Sequence, residues 1–182
     1  PLELLREAQA VEALVREADA EIASAWLAPI HDARFRHDVK LPLTSSVRQV
    51  LNSLIQSHGW LFRAWLGEGA QLVELGAVTS HPGASAQPWH ADADVDLSGK
   101  EHGSARILQV FLALSDVDES MGPTEVLPGS HTEAFHAAVK ASKSSAEEVP
   151  GPRPLRMVLP AGAMVMLDAR AFHRGGCNRS GK

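Results

Sequence analysis

The feature that most restricts how this chain can fold is a change of texture after Gly67. From residue 71 onward, short stretches with strand chemistry recur: Gln71–Ser80, Trp89–Asp94, Ala105–Ser115, Thr124–Leu127, Leu155–Leu159 and Ala163–Asp168. Turns built on glycine, proline or polar residues separate them, among them His81-Pro82-Gly83, Met121-Gly122-Pro123 and Pro160-Ala161-Gly162. This punctuation predicts an antiparallel β-sandwich or barrel.

Before the change, the pattern is helical. Leu4, Leu5, Ala8, Val11, Val15, Ala18, Ile22 and Trp26 recur at spacings of three and four, which predicts an amphipathic helix over 2–27 that ends before Pro29. A second helix is expected over 45–57, with Ser45 or Thr44 as its cap and Gly59 as its stop, and a short third over Trp60–Leu66. Thr132–Ala141 also reads as helix, and Ser142–Pro154 as an exposed loop. The fold class is therefore mainly β with N-terminal helices. With 182 residues the chain fits one domain, in which 1–67 forms a helical layer and 68–182 the β core.

Composition narrows the partners. Hydrophobic residues make up 45% of the chain, enough for a sizeable core, and 17 Lys plus Arg against 22 Asp plus Glu leave a formal charge of -5. That balance provides no broad footprint for nucleic acid or anionic lipid. No apolar run approaches the roughly 18 to 20 residues of a membrane span, so a soluble chain is expected. The single cysteine, Cys177, has no intramolecular disulfide partner, which suits a reducing, intracellular and cytoplasmic setting. The chain begins at Pro1 and stops in mid-pattern at Ser180-Gly181-Lys182, and reads as a piece of something longer whose terminal targeting signals lie out of sight.

Chemistry concentrates in two segments. In Gln87-Pro88-Trp89-His90-Ala91-Asp92, His90 and Asp92 stand two apart, so a strand turns both to one side and offers an imidazole and a carboxylate to one metal. A structural histidine beside a surface acid accounts for the same pair without a metal. A third candidate, His173, follows the glycine-led apolar strand Gly162–Asp168 and a brief polar bend. Two histidines and one carboxylate that leave half an octahedron open form the facial triad of non-haem Fe(II) oxygenases.

These residues, together with Met121-Gly122-Pro123-Thr124-Glu125-Val126-Leu127-Pro128-Gly129-Ser130-His131 and Asn178-Arg179-Ser180, resemble the phytanoyl-CoA dioxygenase family of Fe(II)/2-oxoglutarate oxygenases. The resemblance runs from about residue 70 to the C-terminus, and its most family-specific part is Pro128-Gly129-Ser130-His131. It implies a double-stranded β-helix, a jelly-roll and cupin relative. It implies Fe(II) held by His90, Asp92 and His173, with 2-oxoglutarate and O2 as cosubstrates, and hydroxylation of an unactivated C–H bond of a small organic substrate with release of succinate and CO2. A carboxylate at Asp92, where halogenating relatives carry a small residue, implies hydroxylation. The resemblance further implies an arginine about eleven residues beyond His173 to anchor the far carboxylate of 2-oxoglutarate. That position lies past Lys182, so the β core is expected to be truncated before its last strand, leaving Arg179, Lys182 and Arg170 as candidates within the chain. A cupin-like metal-binding protein and a catalytically silent oxygenase relative are the alternatives.

Other positions carry open readings. Gln109, inside Ala105–Ser115, either bonds to the keto acid or satisfies backbone within the barrel. Asn178 and Ser180 share a strand parity and either line the site or tie down a turn. Asp94 and Asp96 continue the parity of His90 and Asp92 as alternative ligands, expected to face solvent instead. His131 is expected to cap a helix or pack beside the site, and Ser130 has none of the surroundings of a nucleophile. Trp89 should face away from the ligands, and Cys177 should be a small buried hydrophobe. His31, His37, His58, His81, His102 and His136 lack a partner at ligand spacing and read as surface or loop residues. The substrate's identity and the oligomeric state are not written in these patterns, since substrate pockets are built by variable loops.

Overall fold

The structure, a computed structural model, describes residues 2, 4–6, 9, 32–93, 95, 106–142, 149 and 151–181. Its strands are β1 (Arg36–Lys40), β2 (Gly76–Ser80), β3 (Leu108–Leu112), β4 (Thr124–Val126), β5 (Leu155–Arg156), β6 (Met164–Asp168) and β7 (His173–Gly175). Two helices accompany them, α1 (Ser45–Leu66) and α2 (Glu133–Ser142). The chain divides into two compact units, Pro1–Ser80 and His81–Lys182.

In the first unit, α1 begins where Thr44 supplies its hydroxyl to the Val47 amide at 3.3 Å. It ends at Gly67, which takes the positive φ of 89° that side chains resist and donates its amide to Arg63. The two helices expected on either side of Gly59 are thus one. A glycine inside a helix costs only about 1 kcal/mol relative to alanine, and the apolar spacing of Trp60–Leu66 carries the helix through it. Strands β1 and β2 pair antiparallel from Arg36↔Ser80 to Lys40↔Gly76. β1 has no counterpart in the sequence reading because four of its five residues are charged or imidazole, so only Val39 gives an apolar signal. Most of the helix expected over 2–27 lies outside the described residues; Leu2, Leu4, Leu5, Arg6 and Gln9 are helical.

The second unit holds two antiparallel sheets, β3–β6 and β5–β4–β7. Among the described residues they are open sheets, and the architecture is mainly β with few helices. Lone bridges add Val117↔Leu159 and His90↔His173. The second bridge extends the three-stranded sheet by one position, beside β7. A strand was expected over Trp89–Asp94, but among its described residues only His90 joins the ladder. The Asp92 and Ala93 amides both turn to one carbonyl, Ala169 O, at 2.9 and 3.0 Å, a convergence that breaks regular pairing. The expected loop Ser142–Pro154 lies mostly outside the described residues. Among those described, no helix is long and apolar enough to cross a membrane.

The bends between strands are held by side chains. Asp168 closes the bend after β6 by accepting from the Arg170 amide at 2.9 Å and from its guanidinium at 2.9 and 2.6 Å. Thr132 caps α2 by accepting from the Phe135 amide at 3.4 Å, the role considered for the neighbouring His131, which is exposed. Phe135 and His136 of α2 pack against Phe172 at ring distances of 5.5 and 5.0 Å, and His136 Nε2 reaches Arg170 O at 2.8 Å. His136 is therefore packed and bonded, not the loose surface histidine its lack of a ligand partner suggested.

Candidate metal centre

His90, Asp92 and His173 come together: one side-chain atom from each lies within 4.8 Å of the others. Three local structures arrange this. β7 starts at His173, the lone bridge sets His90 beside it through paired backbone bonds of 3.1 and 2.8 Å, and the Ala169 carbonyl draws the Asp92 backbone in. The carboxylate then stands 3.7 Å from His90 Nε2 and 3.6 Å from His173 Nε2. The two imidazoles lie with centroids 4.6 Å apart.

Both rings are oriented by the same device. His90 Nδ1 meets Pro88 O at 2.9 Å, and His173 Nδ1 meets Ala171 O at 3.0 Å. A carbonyl only accepts, so each Nδ1 carries a proton and each Nε2 is the nitrogen turned toward Asp92, with its lone pair available when the ring is neutral. Metal-bound histidines are oriented in this way by a backbone carbonyl on the other nitrogen. Burial lowers the pKa of His173, and the neighbouring His90 adds to that; the Ala171 carbonyl and Asp92 pull the other way without reversing it. His173 is consequently neutral at pH 7, the state that binds metal. Two imidazole nitrogens and a carboxylate oxygen, all poised at once, fit a divalent first-row metal such as iron.

Gln109 reaches this cluster from β3, its amide Nε2 donating to Asp92 Oδ2. Asn178 and Ser180 form a turn in which Asn178 Oδ1 accepts from the Ser180 amide at 3.0 Å and hydroxyl at 2.7 Å. Arg170 is engaged by Asp168, while Arg179 is exposed. Burial raises the Asp168 carboxyl, but the hydrogen bonds from Arg170 outweigh this and hold it below its ordinary value. Asp94, Asp96 and Lys182 lie outside the described residues.

Phe111 went unread in the sequence, and for Ser130 and Trp89 the sequence did not show which partners they hold. Phe111, two residues after Gln109 on β3, meets His173 edge-on at 6.3 Å, and the period-two rule applied to Gln109 would have found it. Ser130 is fully buried; its hydroxyl donates to Leu127 O at 2.6 Å and accepts from the Phe172 amide at 2.7 Å, which ties the Pro128–Ser130 turn to the residue before His173. Trp89 is buried beneath the Arg174 guanidinium, 4.4 Å from its ring, and Arg174 in turn bonds Glu125 at 2.8 Å. No sequence spacing announces contacts that depend on three strands meeting.

Similarity to known proteins agrees with this geometry. The family model described as Phytanoyl-CoA dioxygenase (PhyH) matches residues 2–182. Among solved structures, the crystal structure of EvdMO1 is 18% identical with a TM-score of 0.60, over 99% of this chain and 41% of that one. That of AviO1 from Streptomyces viridochromogenes Tue57 is 25% identical with a TM-score of 0.52, over 86% of this chain and 67% of that one. The chain thus spans about two fifths of the length of the first of these. No curated protein matches it. With a match along nearly its whole length and a His-Asp-His cluster able to hold a metal, the chain belongs to the phytanoyl-CoA dioxygenase (PhyH) family.

Proposed function

We propose that this protein is an Fe(II)- and 2-oxoglutarate-dependent dioxygenase that hydroxylates an unactivated C–H bond of a small organic substrate, releasing succinate and CO2. The observation that carries this reading is the meeting of two imidazoles and one carboxylate, one ligand atom of each within 4.8 Å of the others, in a chain of this family. His90, Asp92 and His173 would hold the iron, which when bound supplies the activation of O2 and keto acid that such a hydroxylation needs. The protein's share is to aim both imidazoles, through Pro88 O and Ala171 O, and to leave the remaining coordination places to the cosubstrates. The carboxylate at Asp92 occupies the place that a halide would need, which supports hydroxylation. In this reading 68–182 is the oxygenase core, a double-stranded β-helix, and 1–67 is its helical N-terminal part. Of the three residues expected at the keto acid, Gln109 is the one whose side chain touches the triad, while Asn178 and Ser180 support the turn beyond β7.

The test is succinate release from 2-oxoglutarate by protein supplied with Fe(II), ascorbate and a panel of small substrates. Iron-dependent succinate formation that disappears in Asp92→Ala is expected. Iron bound at the triad with no 2-oxoglutarate binding and no succinate would mean a cupin-like metal protein instead.

A further inference from the structure

Strand β3 turns alternate side chains toward the candidate metal centre: Gln109, whose amide donates to Asp92 Oδ2, and Phe111, whose ring meets His173. Every other residue of β3 is apolar, so the amide stands out. Its Oε1 is buried with no hydrogen-bond partner among the described residues. Such atoms are rare, because an apolar side chain would fill the same place without stranding an oxygen. Turning the amide over offers no relief, since its oxygen would then oppose a carboxylate that only accepts.

Asp92 is the ligand with the greatest need of restraint. Its side chain is 45% exposed against 7% for His173, and it sits in a bend where the histidines have a backbone bridge. The imidazoles are each aimed by a carbonyl; among the described residues, Gln109 is the only side chain that donates to the Asp92 carboxylate. With Oδ2 engaged, Oδ1 is the oxygen left free.

We propose that Gln109 is a positioning residue that holds the Asp92 carboxylate for the metal, leaving one oxygen to bind; this rests on the metal-centre reading above. Cobalt(II), visible in absorption where iron is not, is titrated into the wild-type protein, Gln109→Met, Asp92→Ala and the double variant. Gln109→Met is expected to lose about 10- to 100-fold in cobalt affinity, as for other groups that orient a metal ligand, and to shift the cobalt spectrum. In the Asp92→Ala background the same change is expected to do nothing further, because its route of action is gone. Wild-type affinity and spectrum in Gln109→Met would overturn the proposal, and so would an equal loss in both backgrounds, which marks a general packing defect. Wild-type protein that binds no cobalt, or Asp92→Ala that binds it normally, would overturn the metal-centre reading and this proposal together. Near-UV circular dichroism checks folding. If the methionine variant does not fold, Gln109→Asn keeps a polar amide in the strand but falls short of Asp92, and the same loss is expected of it.

Discussion

His173 shows what a single residue contributes. Burial pushes its pKa below the ordinary 6.5, so the folded protein resists protonating it while the unfolded chain does not. The unfolded state then binds more protons as pH falls below about 6.5, and stability should fall with it, in the window between the unfolded value and the lower folded one. Urea midpoints of the metal-free protein at pH 7.5 and 5.5 should show this loss, and His173→Gln should show a smaller one. An unchanged difference would mean that other groups set the slope. The grouping of His90, Asp92 and His173 was legible in the sequence because His90 and Asp92 obey a spacing of two and the family resemblance picks out His173, which follows a glycine-led strand after a bend. Their aim was not legible. The anchoring carbonyls of Pro88 and Ala171 depend on backbone torsion, and the Gln109 bond depends on how β3 meets the bend at Asp92.

At the scale of elements, turn chemistry was the most legible part and boundaries the least. The strands expected at Thr124–Leu127 and Ala163–Asp168 appear as β4 and β6, each starting after the turn that announced it. The break at Gly59 did not appear, because one weak propensity yields to a continuous apolar face. A Cβ there would lie 3.4 Å from the end of the Arg63 side chain and 3.5 Å from Ile55, in ordinary contact. Gly59→Ala should therefore stabilise α1 by about 0.5 to 1 kcal/mol in urea unfolding; a loss would mean that the Arg63 side chain cannot move aside. Two other glycines differ in kind. Gly122 and Gly129 both have positive φ, 70° and 77°, yet a Cβ meets nothing at Gly129 and would come within 2.6 Å of the Gly176 carbonyl at Gly122. Gly129→Ala should cost about 1 to 2 kcal/mol from handedness alone. Gly122→Ala should cost more, on the order of 3 kcal/mol, because two backbone segments must separate as well. Equal costs in urea unfolding would show that the backbone beyond β7 yields freely.

For the whole molecule, the family match extends over residues 2–182, whereas the resemblance visible by eye began near residue 70. The difference has a physical origin. Ligands and tight turns demand particular residues, but a helix needs only an apolar stripe, which many sequences supply. The second unit is accordingly where sequence and chemistry speak together: turns at Gly122, Gly129 and Gly162 set the strands, and the strands bring His90, Asp92 and His173 to one place. The most direct test of that claim is an anaerobic calorimetric titration of Fe(II) into the protein and into His90→Ala, Asp92→Ala and His173→Ala. One equivalent of iron should bind to the wild-type protein, and each substitution should weaken binding by at least about tenfold. Wild-type binding in any of the three variants would contradict the account.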